Sequence, residues 1–319
     1  MTRPIPVVVG TDGDVGPQRE LTEMRIALGI ATTGRPELLL RTVGEVLRQD
    51  RRADRIVVCP AQESDCTGLL DAFSEIKIVY GGRGLPRQRN AILREVSDCD
   101  ALLFIDDDFI MAPDYLAALE RLLTAHLDIV VATGFVIADG AHNAGIAFED
   151  ALDIIRMDSA NRPASYAGPH PREGAYGCNM AVRLSTAYEN GIEFDERLPL
   201  YGWLEDLDFS GRMRAAVSDG RVAGSPSLRG VHLGVKGGRQ SGLRLGYSQV
   251  VNPVYISRKG VLPKRFLQKY VRRNIVANLA RSAFPEPHID RFGRLRGNVL
   301  GLWDLLRGRA DPEKIELMR

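Results

Sequence analysis

The chain has 319 residues, 45% of them hydrophobic and 26% charged, with 42 Lys and Arg against 41 Asp and Glu. That balance suits a globular protein with one large or two small domains and gives no electrostatic case for nucleic-acid binding. Cys59, Cys66, Cys99 and Cys178 lack zinc-type spacing and read as reduced thiols, and no stretch matches a signal peptide or a membrane span, so a cytoplasmic protein is expected.

Residues 1–23 read as a loose arm with a short strand at Val7–Val9. Met24–Ala31 is an apolar run of the kind that forms a buried strand, broken by Thr32-Thr33-Gly34-Arg35-Pro36. Pro36 suits the first turn of a helix, and Leu39, Leu40, Val43, Val46 and Leu47 recur at helical spacing. A second strand is expected at Arg55–Cys59, a short helix at Asp65–Ser74, and a third strand at Ile76–Tyr80. The Gly-rich loop 81–86 leads into a helix through Val96, then a fourth strand at Ala101–Ile105 and a helix at Pro113–Leu123. Strand–helix–strand units of this length are parallel crossovers, so residues 24–125 predict a doubly wound sheet with ligands at its C-terminal strand ends.

The second half is less regular. Strands are expected at Ile129–Val136 and Cys178–Arg183, with a long binding-type segment from 138 to 173 that carries a helix at Phe148–Met157. A short helix follows at Leu184–Asn190, and Tyr201–Phe209 enters another that runs through Ala216. Beyond residue 260 the chain is basic and amphipathic, with Lys264, Arg265, Lys269, Arg272 and Arg273 interleaved with apolar residues. Such a stretch can lie on an anionic membrane or pack on the catalytic domain.

The fourth strand ends in Asp106-Asp107-Asp108. Three adjacent carboxylates raise one another's pKa, and a bound cation relieves that cost. Oxygen ligands on alternate residues suit Mg²⁺ or Mn²⁺, which in turn bind a diphosphate. The alternative is a solvated acidic turn before the next helix. A second acidic pair, Glu205-Asp206, lies further along, with Asp208 suited to the positive end of a helix dipole.

Taken together, these marks resemble family 2 glycosyltransferases of the GT-A fold. The resemblance runs through Thr33-Gly34-Arg35-Pro36, Arg89-Asn90, Asp106-Asp107-Asp108, Gly177–Arg183, Glu205-Asp206 with Asp208, Phe209 and Arg212, and His232, covering roughly residues 24–260. It implies a GT-A sheet, doubly wound and mainly parallel, flanked by helices. Residues 24–125 would be the nucleotide-binding half, 126–260 the acceptor and catalytic half, and 261–319 a basic helical extension.

The resemblance further implies a metal-dependent, inverting transfer from a nucleotide-diphosphate sugar to a hydroxyl of a glycan, a lipid-linked sugar or a small acceptor. Asp106 and Asp108 would hold Mn²⁺ or Mg²⁺, with His232 completing the shell. Asp206 would be the base, with Glu205 as fallback. Thr32, Thr33, Arg35, Gln62, Arg89, Asp106 and Asp107 would line the donor pocket, and Tyr201 and Trp203 would stack on the acceptor. Lys236, Arg239 or Arg244 would close over the diphosphate. Relatives carry an Asp pair after the second strand that reads uracil; Cys59–Asp65 lacks it, so a UDP-sugar is the first expectation and the base stays open. Two rival readings are a phosphohydrolase with an Asp-x-Asp nucleophile and a non-catalytic nucleotide-sugar binding module.

Overall fold

A computed structural model describes residues 23–163, 165–235, 241–283, 286 and 289–318. The N-terminal arm with its strand at Val7–Val9, Lys236 and Arg239 lie outside them.

The first half follows the expected alternation: β1 (Ile26–Thr32), α1 (Pro36–Val46), β2 (Arg55–Pro60), α2 (Leu69–Ala72), β3 (Lys77–Ile78), α3 (Leu85–Glu95), β4 (Ala101–Asp106). The helix expected at Asp65–Ser74 is split into a 3-10 turn, Glu63–Cys66, and the one-turn α2, because Gly68 takes a left-handed φ of 76° between them. A three-residue strand that the sequence analysis missed, β5 (Phe109–Met111), follows the acid triplet; then come α4 (Tyr115–Ala125), β6 (Ile129–Asp139) and α5 (Phe148–Ala160). The rest is β7 (His170–Pro171), β8 (Asn179–Arg183), α6 (Leu184–Glu189), α7 (Glu205–Ala215), the long β9 (Arg221–His232), and three helices, α8 (Gly242–Ser257), α9 (Lys264–Ser282) and α10 (Arg291–Leu306).

The strands form one sheet in the order β3-β2-β1-β4-β8-β6-β9-β5, with β7 also on β9. Strands β1 to β4 pair with one another in parallel, as expected. The second half is mixed: β8 lies antiparallel between β4 and β6, while β6 and β9 run parallel. The sheet is filled on both faces. Ile26, Leu28 and Ile30 of β1 pack with Leu39 and Val43 of α1 and with Leu116 and Leu119 of α4. Ala27 faces the other way, with Ile92 and Leu93 of α3 and with Val96 just after it. This alternation is what a strand buried on both sides requires. A Cβ on Gly29 would stand 2.6 Å from Ile92, so the close approach of α3 to β1 requires glycine there.

At the C-terminal end, α8 packs along α10, and α9 closes against both. Asn252 of α8 donates to the Trp203 carbonyl at 2.9 Å, which ties this helical unit to the loop before α7. The four cysteines are buried and unbridged. Among the described residues no helix is long and apolar enough to cross a membrane.

Candidate active site

The strand register assembles the first acidic centre. β4 delivers Asp106, and Asp107 and Asp108 form the turn into β5. β5 then runs antiparallel to the end of β9, with Phe109 opposite His232. β6 runs beside the same strand and places Asp139 opposite His232. Asp106, Asp108 and His232 each present a ligand atom within 4.8 Å of the others.

The imidazole is oriented from behind. His232 Nδ1 lies 2.9 Å from Asp139 Oδ1, and its Nε2 lies 3.5 Å from Asp108 Oδ1. Tyr176 donates its hydroxyl to Asp139 Oδ2 at 3.0 Å. A carboxylate on one ring nitrogen with the other aimed at an acidic pair is the usual support of a metal-binding histidine. Two carboxylates and one imidazole fit Mn²⁺, and fit Mg²⁺ with the nitrogen as its less favoured ligand. Burial disfavours the imidazolium, but hydrogen bonds to Asp108 and Asp139 outweigh it and push His232 up to about 10. Burial likewise disfavours the Asp108 carboxylate, yet His232, Arg35 and the Val235 N–H hold it below its ordinary range. Asp139 and Tyr176 were not anticipated in the sequence. The only local signal was an Asp-Gly at the end of a strand.

Asp107, expected beside the donor, is internal. Its side chain is fully buried and turned into the fold. Thr32 donates to Oδ2 at 2.5 Å, Arg35 pairs with Oδ1 at 2.5 Å, and Thr42 donates to the Asp107 carbonyl at 2.7 Å. Burial pushes its carboxyl up to about 7. Thr32 is buried with it. Arg35 spans Asp107 and Asp108, reaching Asp108 Oδ2 at 3.2 Å, and keeps partial exposure. Asp106 is the most accessible acid of the triplet, its side chain 32% exposed.

The second acidic centre is the N-terminus of α7. Leu200 and Leu204 hold left-handed φ values of 60° and 70°, with Gly202 at 62° between them. Non-glycine residues rarely adopt this region, and its occurrence immediately before an acidic helix start marks a constrained loop. Asp206 is half-buried; Gly177 donates to its Oδ2 at 2.9 Å and the Leu207 N–H to its Oδ1 at 2.8 Å. Burial raises its pKa, which Arg89 and these amides oppose. Glu205 is buried, with Oε2 lacking a hydrogen-bond partner among the described residues, and burial pushes its carboxyl up to about 8.

Arg89 joins the two centres. Its Nη1 donates to Glu205, its Nη2 donates to the Gly177 carbonyl at 2.8 Å, and the same Nη2 lies 3.4 Å from Asp106 Oδ1. The side chain is buried between the rings of Phe104 and Phe194, each 5.6 Å away. Both its Nη atoms are bound inside the protein, to Glu205 and to the Gly177 carbonyl. Asp208 is also internal, paired with Arg212 and Lys259 at 3.0 and 2.7 Å.

The remaining residues are more open. Thr33 and Gln62 are exposed. Buried Asp65 accepts from Gly34 at 2.9 Å and from the Gln62 amide, so it links the loops after β1 and β2. Tyr201 is exposed and Trp203 half-buried, their rings stacked at 6.4 Å. The Trp203 Nε1 has no acceptor among the described residues. Arg244 is bound to the Met318 carbonyl, which removes it from the expected diphosphate cations. Val235, just after His232, donates its N–H to Asp108 Oδ2 at 2.9 Å.

Residues 28–166 match a family model described as glycosyl transferase family 2. No curated protein sequence matches the chain. Among solved structures it is similar to residues 1–349 of TarS from S. aureus, at TM-score 0.56 and 13% identity over 92% of this chain and 83% of that one. It is similar to the mannosyltransferase PcManGT from Pyrobaculum calidifontis, in complex with GDP-Man and Mn²⁺, at TM-score 0.55 and 16% identity over 96% and 88%. GalNAc-T7 with UDP, GalNAc and Mn²⁺ gives TM-score 0.52 and 17% identity over 83% of this chain and 59% of that one.

Proposed function

From the match of residues 28–166 to the glycosyl transferase family 2 model, we propose that this enzyme is a metal-dependent, inverting glycosyltransferase. It moves a sugar from a nucleotide-diphosphate donor to an acceptor hydroxyl, in glycan, polysaccharide or glycolipid synthesis. The observation that carries the reading is the pairing of a cation-type cluster, Asp106, Asp108 and His232, with a second acidic centre fixed to it through Arg89.

Asp206 is the base. It takes the acceptor's hydroxyl proton as that oxygen bonds to the anomeric carbon, while the bond to the diphosphate breaks and its electron pair leaves with the phosphate oxygen. Attack from the face opposite the leaving group inverts the centre. Asp106, Asp108 and His232 would hold a divalent cation, which would supply positive charge to offset that of the departing diphosphate. The amides of Gly177 and Leu207 fix both oxygens of Asp206 and aim it. Exposed Thr33 and Gln62 and partly exposed Arg35 face the donor side, and Tyr201 and Trp203 offer ring surface to an acceptor sugar.

The donor is a UDP-sugar. GDP-Man in one similar structure makes the guanine donor the alternative. A panel of nucleotide sugars, screened by thermal shift with Mn²⁺, tests this: the true donor raises the melting temperature. A chain stabilised by no nucleotide sugar, or active after exhaustive chelation, overturns the corresponding part.

A further inference from the structure

Helix α10 is built inside out. Its buried face is Gly297, Asn298, Gly301 and Asp304. A Cβ on Gly297 would stand 2.2 Å from the Leu243 carbonyl, so α8 and α10 touch backbone to backbone. Its outer face carries Phe292, Val299, Trp303 and Leu306, exposed at 65, 60, 50 and 83%. Their spacing of seven, four and three residues makes one stripe. An open depression of about 630 Å³ along this helix is lined by apolar side chains apart from Arg296. A helix in water normally places these residue types the other way round. Small residues between helices and large apolar ones outside are the pattern of helices in contact with lipid.

Charge points to the same surface. Residues 264–309 carry eleven Lys and Arg against three Asp and Glu, a surplus of eight in a chain whose net charge is +1. The three acids are all committed: Asp304 to Tyr247 and Lys314, Glu286 to Arg281 and Arg291, and Asp290 to the start of α10. Arg296 continues the α10 stripe, and the Arg307 guanidinium sits 4.0 Å over the Trp303 ring. On α9, exposed Arg265, Lys269 and Arg272 run at helical spacing into Val276 and Leu279, themselves 65 and 62% exposed.

We propose that the outer face of α10, with the basic face of α9, docks the protein on an anionic lipid surface. Apolar side chains enter the headgroup boundary while the flanking guanidinium groups meet lipid phosphates. A second copy is the poorer occupant, since it would bring together two segments that each carry a surplus of eight positive charges. The inference does not depend on the proposed reaction, because no residue of this face belongs to the catalytic centres.

The test is flotation of the full chain with vesicles of phosphatidylcholine alone and with about one-third phosphatidylglycerol. Binding to the anionic vesicles should exceed binding to neutral ones at least about tenfold and fall as salt rises from about 0.05 to about 0.5 M. Arg296→Glu with Arg307→Glu should remove it. Trp303→Ser and Leu306→Ser should each weaken it, with melting temperatures unchanged because these side chains are exposed. No binding, or equal binding to both vesicles, overturns the proposal. So does a wild-type dimer that Leu306→Ser makes monomeric, which assigns the face to a second copy. Binding that survives all four substitutions and is lost on deleting residues 1–22 overturns it in favour of the N-terminal arm.

Discussion

Arg89 and Glu205 form a buried ion pair, their side chains 2 and 5% exposed, and the same guanidinium lies 3.4 Å from Asp106. One cation thus stands among Glu205, Asp206 and Asp106. Arg89→Met would leave the buried Glu205 carboxyl without its partner. Removing one partner of a buried pair costs about 3–5 kcal/mol, read as a lower urea midpoint. Arg89→Met with Glu205→Gln should recover much of that loss, because no buried carboxyl is left without its partner. Arg89→Lys keeps the charge but not the fork, so it cannot serve Glu205, the Gly177 carbonyl and Asp106 together. It should lower transfer more than it lowers stability. Equal stability of Arg89→Met and wild type would remove the pair from the fold's supports.

Asp206→Asn should reduce kcat by about 10²–10⁴, the usual contribution of a positioned base, with donor binding little changed. The pH profile gives a second check. Burial holds the Asp206 pKa above its ordinary 3.8, and the base acts only when ionised. Activity should therefore fall with acidification at a pH above the normal aspartate range, and that limb should vanish from the residual rate of Asp206→Asn. A variant with full activity transfers the role to another group, with Glu205 the first candidate.

The parallel half of the sheet was legible because buried strands and amphipathic helices there follow simple periods, and α1 and β4 lie close to where the apolar pattern puts them. The acid triplet was legible as a site but not in its division of labour. Alternation along β4 leaves open which way a turn residue faces, and only the register with β9 shows that Asp108 meets His232 while Asp107 goes inward. Asp139 was missed for the same reason: it is brought to His232 by pairing between strands some 90 residues apart in sequence. The burial of Arg89 was hidden for a different reason. An arginine at a helix start reads as surface charge, and nothing local announces a carboxylate 116 residues away that draws it into the core.

The buried Asp107 carboxyl should control stability rather than donor affinity. Asp107→Ala leaves Arg35 and Thr32 facing a cavity and should cost about 3–5 kcal/mol. The donor KM should move less than for substitutions of Arg35, which keeps solvent access. The pH dependence has a definite sign. Folding raises this carboxyl from 3.8 to about 7, so its contribution is complete below pH 3.8 and is lost as pH rises through 7. Asp107→Asn should flatten that part of the stability curve. An unchanged curve would show that Asp107 is ionised throughout.

Metal binding and the His232 proton should compete. In the metal-free protein the imidazolium, pushed up to about 10, sits between Asp108 and Asp139 and itself serves as the cation of the site. A metal needs the neutral ring, so loading must expel that proton. Mn²⁺ affinity should therefore rise by up to about tenfold per pH unit between pH 7 and 9. Calorimetry in buffers of different ionisation enthalpy should register about one proton released per ion at pH 8. The stability of the metal-free protein carries the opposite slope: folding raises His232 from 6.5, so its contribution is full below pH 6.5 and is lost as pH climbs through 10. Added Mn²⁺ should reverse that trend by rewarding the deprotonated ring. His232→Gln should still bind metal through Asp106 and Asp108, more weakly, with no proton released. If wild type binds Mn²⁺ with no proton release and no pH slope, His232 is not a ligand and the two aspartates hold the ion without it.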